Sequence, residues 1–90
     1  MEDIKTSRDR IAKIDREMAR LFEERMAAAR EIAAYKKERG IPIKDVEREN
    51  FLLCENSGLI SDQTIKEYYY SFQKKVMELS CDYQQTLTRE

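Results

Sequence analysis

Residues 4–40 read IKTSRDRIAKIDREMARLFEERMAAAREIAAYKKERG, and this stretch decides the fold. Apolar side chains return at Ile4, Ile11, Ile14, Met18 and Leu21, then at Ala28 and Ile32. Intervals of three, four and seven residues put them on one face of a helix. The slot between Leu21 and Ala28 is held by Arg25. A guanidinium keeps its charge, so a place on an apolar seam is costly unless an anion meets it. Arg25 is therefore the first candidate binding residue.

The helix is predicted from about Lys5 to Arg39, with Gly40 as its stop and Pro42 two residues beyond. At about 1.5 Å per residue it is roughly 50 Å long. The rest of a 90-residue chain cannot cover such a rod, so its exposed half calls for another chain. Ile41-Pro42-Ile43-Lys44 reads as a short extended connection. Asp45 is a good N-cap for a second helix of about 46–57, ended by Asn56-Ser57-Gly58. Ser61 can cap a third helix from about Asp62 to Leu87, with Asp62 suited to its positive end. The stripe there is Ile65, Tyr69, Phe72, Val76, Leu79, Tyr83 and Leu87. The expected fold is all-α: three helices, the first long, in one domain spanning 1–90.

Composition agrees and narrows the chemistry. The chain is 39% charged and 41% hydrophobic, which suits amphipathic helices with solvated outer faces. So small and polar a monomer buries little apolar surface, and helix-mediated oligomerisation would relieve that. With 17 basic and 18 acidic residues there is no domain-wide basic field, which argues against nucleic acid. The N-terminus Met1-Glu2-Asp3-Ile4-Lys5 is polar and no stretch reaches membrane-spanning length, so a cytoplasmic location is expected. Cys54 and Cys81 form no CxxC pair and are expected to be reduced, helix-packed small residues. There is no histidine, which removes the commonest general base and zinc's usual ligand. Any reaction here should need little proton transfer.

Several polar side chains share the helix faces with apolar ones. Lys36 follows Arg25 by eleven residues, three turns, and returns to within about 20° of the same azimuth. The two cations are roughly 16 Å apart along the axis, and their long side chains can lean together around a small dianion. Each can instead snorkel to water from the edge of the stripe. Arg8 lies on this face too, but about 25 Å from Arg25, too far for one site within one chain. An antiparallel partner helix, crossing near Met18 to Phe22, would bring the partner's Arg8 beside Arg25 and Lys36. In the second helix Glu49 holds a stripe slot between Val46 and Leu53, with Arg48 before it near the helix N-terminus. An ion pair is the plainer reading of Glu49. In the third helix Ser80 and Gln84 are one turn apart and offer donors that do not titrate. Tyr68-Tyr69-Tyr70 reads as core and rim packing.

Together these residues resemble the all-helical chorismate mutase family over nearly the whole chain. The segments that carry the resemblance are Arg8-Asp9-Arg10-Ile11 with Ile14-Asp15, Glu24-Arg25, Tyr35-Lys36, Pro42-Ile43-Lys44-Asp45-Val46-Glu47-Arg48-Glu49, and Ser80-Cys81-Asp82-Tyr83-Gln84-Gln85. Each is weak alone; their order and spacing are specific. The resemblance implies an intertwined homodimer with two sites, each borrowing Arg8 from the other subunit. It implies a Claisen rearrangement of chorismate to prephenate, toward phenylalanine and tyrosine, without cofactor, metal or covalent intermediate. Arg25 and the other subunit's Arg8 would bind the substrate carboxylates, supported by Arg48 and Ser80. Lys36 and Gln84 would donate to the ether oxygen. Glu49, helped by the backbone near Asp45, would hold the ring hydroxyl.

Two other readings compete. An isochorismate pyruvate-lyase resembles these mutases and uses a similar cationic clamp. A non-catalytic helical dimer that binds other proteins would have to treat Arg8, Arg25, Lys36, Glu49 and Gln84 as surface residues. Helical periodicity turns several of them inward.

Overall fold

The computed structural model describes residues 3–89, all-α among those residues. Met1, Glu2 and Glu90, which the 1–90 domain span includes, lie outside them. Helix α1 runs Ile4–Arg39, α2 Val46–Ser57 and α3 Lys66–Thr88. The long first helix sets the shape, with extents of 55 × 25 × 14 Å.

Each end of α1 is closed by its own chemistry. The Asp3 carboxylate accepts from the Thr6 N–H at 2.8 Å, and these hydrogen bonds hold its pKa below the usual value. At the other end Gly40 takes φ 65°, in the left-handed region. The Gly40 N–H then donates to Lys37 O and the Ile41 N–H to Lys36 O, at 3.3 and 2.9 Å. That paired closure satisfies carbonyls the helix would leave open and turns the chain toward α2. Helix α2 starts as the sequence suggests: Asp45 Oδ1 accepts from the Arg48 N–H at 3.0 Å.

Helix α3 begins four residues later than expected. Asp62 does not sit in its first turn and Ser61 does not cap it. Instead the Asp62 carboxylate accepts from the Thr64 N–H and hydroxyl, at 2.9 and 2.6 Å. This local bond, two residues on, offers the backbone a turn in place of a helix. The same bonds lower the Asp62 pKa.

Packing also corrects the expected faces. Helix α3 packs against both α1 and α2. The buried residues are Ala29 and Ala33 of α1, Leu53 of α2, and Met77, Ser80 and Gln84 of α3. On α3 the inward row is therefore displaced by one residue from the apolar stripe, and Phe72 and Leu79 are 41% and 40% exposed. On α1 small alanines let α3 approach closely, while Ile11, Ile14, Met18, Leu21 and Phe22 all remain exposed. Tyr68 and Tyr70 are exposed rather than core, and Tyr69 stacks on Phe72 with centroids 6.2 Å apart. Both cysteines are free; Cys54 is exposed, not packed between helices.

Candidate active site

The C-terminal half of α1, the start of α2 and the C-terminal half of α3 enclose a cleft of about 470 Å³. Arg25 and Lys36 reach it from α1, Arg48 and Glu49 from α2 beside the capping Asp45, and Ser80 and Gln84 from α3. Seven of the eight residues singled out in the sequence thus meet in one place. Arg8 does not: it is exposed, seventeen positions before Arg25 on the same rigid helix.

Local structure explains how each side chain gets there. Arg25, Ala29 and Lys36 follow one side of α1, and the alanine keeps the floor open between the two cations. The closure at Gly40 folds the connection back so that Lys36 Nζ donates to Ile43 O at 2.9 Å. Asp45 fixes the first turn of α2, which directs Arg48 and Glu49 inward together. Ser80 and Gln84, four apart and so on one face of α3, are buried against each other. Gln84 Nε2 donates to Ser80 Oγ at 3.1 Å.

The charges in the cleft are unevenly compensated. Among the described residues neither Arg25 nor Arg48 has a carboxylate partner; the Arg48 guanidinium lies 5.7 Å from the Phe51 ring centroid. Lys36 donates to a neutral carbonyl, that of Ile43. Of the two acids, the Asp45 carboxylate accepts from the Arg48 N–H of its own helix, and Glu49 accepts from Lys44 Nζ at 2.9 Å. That bond to Glu49 raises the Lys44 pKa. Three fixed cations around a partly apolar floor can hold an anion with two acidic groups, by bidentate pairing with the guanidiniums. Neutral N–H donors beside them can meet a third oxygen.

Two residues at the site had no role assigned from the sequence: Cys81, which lines the cleft, and Lys44, which bonds to the lining Glu49. Cys81 follows Ser80 into the cleft wall, although it looked like a packing residue. Lys44 was read as part of a loop, yet its reach to Glu49, five positions on, spans the cap of α2. A lysine just before an N-cap and an acid in the first turn beyond it were the available signal.

Three helices enclosing a cation-lined cleft define a small all-α protein suited to anion binding. Comparison with known proteins narrows that class. The family model for chorismate mutase type II matches residues 7–85. A chorismate mutase of Methanocaldococcus jannaschii is 32% identical over 90 aligned positions, covering 87% of this chain and 91% of that protein. No solved structure matches significantly. The chain belongs to the type II chorismate mutase family, a family of isomerase enzymes.

Proposed function

We propose that the chain rearranges chorismate to prephenate, without cofactor or metal, as an intertwined homodimer in the route to phenylalanine and tyrosine. The observation that carries this reading is the pair of guanidiniums, Arg25 and Arg48, without carboxylate partners among the described residues, in a cleft shared with Lys36 and Gln84. A dicarboxylate supplies the missing counter-charge.

In this reading Arg25 and the other subunit's Arg8 take the two carboxylates, with Arg48 and Ser80 in support. The clamp holds the enolpyruvyl arm over the ring, a conformer seldom visited in water, so part of the acceleration is orientation. As the ether C–O bond breaks and the new C–C bond forms, negative charge grows on the ether oxygen. Lys36 and Gln84 donate to that oxygen and stabilise the charge with dipoles already in place. Glu49 has lone pairs to spare beside its bond to Lys44 and accepts from the ring hydroxyl, helped by the backbone near Asp45. No step needs a group that titrates near neutrality, which accords with a chain that lacks histidine.

Dimerisation supplies what one chain lacks. The exposed row Ile11, Ile14, Met18, Leu21 and Phe22 offers a continuous apolar surface on the half of α1 that carries Arg8. An antiparallel copy crossing near Met18 to Phe22 covers that row and brings its Arg8 to this chain's cleft. The decisive assay follows loss of chorismate and identifies the product. Prephenate supports the reading; no turnover of chorismate, with pyruvate released from isochorismate, refutes it.

A further inference from the structure

Ser80 was expected to support a substrate carboxylate, yet its oxygen is already engaged by Gln84. Gln84 is only 9% exposed and Ser80 7%. A primary amide has two ends that differ in chemistry but hardly in shape, so packing alone does not choose between them. Only its hydrogen bonds can. Here Nε2 donates to Ser80 Oγ, while Oε1 is buried with no hydrogen-bond partner. Turning the amide over would let the Ser80 hydroxyl donate to Oε1. It would also move the NH2, with two donors to satisfy instead of one acceptor, into the enclosed position that Oε1 holds. The enclosed position thus selects the orientation in which nitrogen stands beside Ser80, and the seryl oxygen, by accepting there, holds that end of the amide in place. That leaves the second N–H of Nε2 for the cleft, which Gln84 lines.

The geometry points to Ser80 as a positioning residue that holds the donor end of Gln84 in place for the reacting ether oxygen. This rests on the proposed role of Gln84 as donor to that oxygen. The hydroxyl keeps its own proton, so a carboxylate contact is not excluded by the bond it accepts. The two roles act on different quantities. Carboxylate binding in ground state and transition state alike appears in KM, whereas an amide no longer held in place fails as charge develops and appears in kcat.

A double-mutant cycle separates them. Wild type, Ser80→Ala, Gln84→Ala and the double variant are assayed for kcat and KM with chorismate, with helix content followed by circular dichroism. Ser80→Ala should lower kcat by roughly tenfold where Gln84 is present and leave kcat unchanged where it is absent, the non-additivity expected of a residue acting through another. Equal kcat losses in both backgrounds would overturn the positioning role. So would a change confined to KM. An undiminished kcat in Gln84→Ala alone refutes the donor role of Gln84 itself, a separate result that leaves nothing for Ser80 to position.

Discussion

The Lys36 ammonium donates to the Ile43 carbonyl at 2.9 Å, tying the last turn of α1 to the connection that leads into α2. The bond holds the amine at the cleft while leaving two of its three N–H groups for a ligand. A donor fixed in advance needs no reorganisation as charge develops, and losing one such donor costs roughly 10²- to 10³-fold in rate. Lys36→Ala should therefore lower kcat by about that factor, with helix content and oligomeric state unchanged. Near-normal turnover in a pure Lys36→Ala sample would remove Lys36 from the ether-oxygen role.

Gly40 makes that bond possible, because its left-handed φ of 65° turns the chain back on α1. A Cβ at this position would meet nothing within 4 Å, so space is not the constraint. The cost of a side chain is backbone strain alone, about 1–2 kcal/mol. Gly40→Ala should lower the unfolding free energy by about that amount, read from urea denaturation midpoints. Gly40→Asn should lose less, since asparagine tolerates this region better. Equal losses for the two would point to something other than φ.

The helices were legible because periodicity reports azimuth, and azimuth placed Arg25 and Lys36 on one side of α1 and Glu49 in a stripe slot of α2; Asp45 was legible as a cap, and Arg48, Ser80 and Gln84 gained their roles from the family resemblance. What a face meets was harder to read. Phe72 and Leu79 look like core but lie on an outer row, whereas Ser80 and Gln84 look like surface and are buried. Apolar residues mark every surface that will be covered, whether by the same chain or by a copy, and one sequence does not separate the two. The start of α3 was misread for a local reason: Asp62 can cap a helix or close a turn, and Thr64 two residues on decides for the turn. Lys44 was missed because its partner Glu49 lies across a cap, outside the spacing by which helical pairs are recognised.

That Lys44–Glu49 pair sets an alkaline limit. Hydrogen bonding to Glu49 raises the Lys44 pKa above its ordinary 10.5. A raised folded-state pKa means the stabilisation is complete below the unfolded value and fades as pH climbs through the folded one. Thermal stability of the wild type and Lys44→Met should differ by a constant amount from neutrality up to about pH 10, then converge above it. A difference that already shrinks between pH 7 and 9 would contradict the pairing.

The pH dependence of the reaction tests Gln84 in turn. An amide donates at any pH, and the proposed chemistry recruits no group that titrates near neutrality. The wild-type kcat/KM should be nearly flat from about pH 5 to 8. Gln84→Glu puts a carboxyl in the same buried place, able to donate only while protonated, so its activity should rise steeply as pH falls. A steep fall of wild-type activity across that range, or a flat Gln84→Glu profile, contradicts the donor role.

Arg8 provides the sharpest test of the dimer. It lies about 25 Å from Arg25 along one helix, a separation α1 cannot close without breaking. If each cleft uses Arg25 of its own chain and Arg8 of the other, Arg8→Ala and Arg25→Ala homodimers each lack one clamp residue at both sites. A mixed dimer is different. Its cleft on the Arg8→Ala chain keeps that chain's Arg25 and borrows an intact Arg8, while the other cleft loses both. Unfolding and refolding an equimolar mixture gives mixed dimers in half of the pairs, each with one intact site of two. The mixture should recover roughly a quarter of wild-type activity from two nearly inactive parents. Were both arginines to serve one chain, every cleft in the mixture would remain defective and no activity would return.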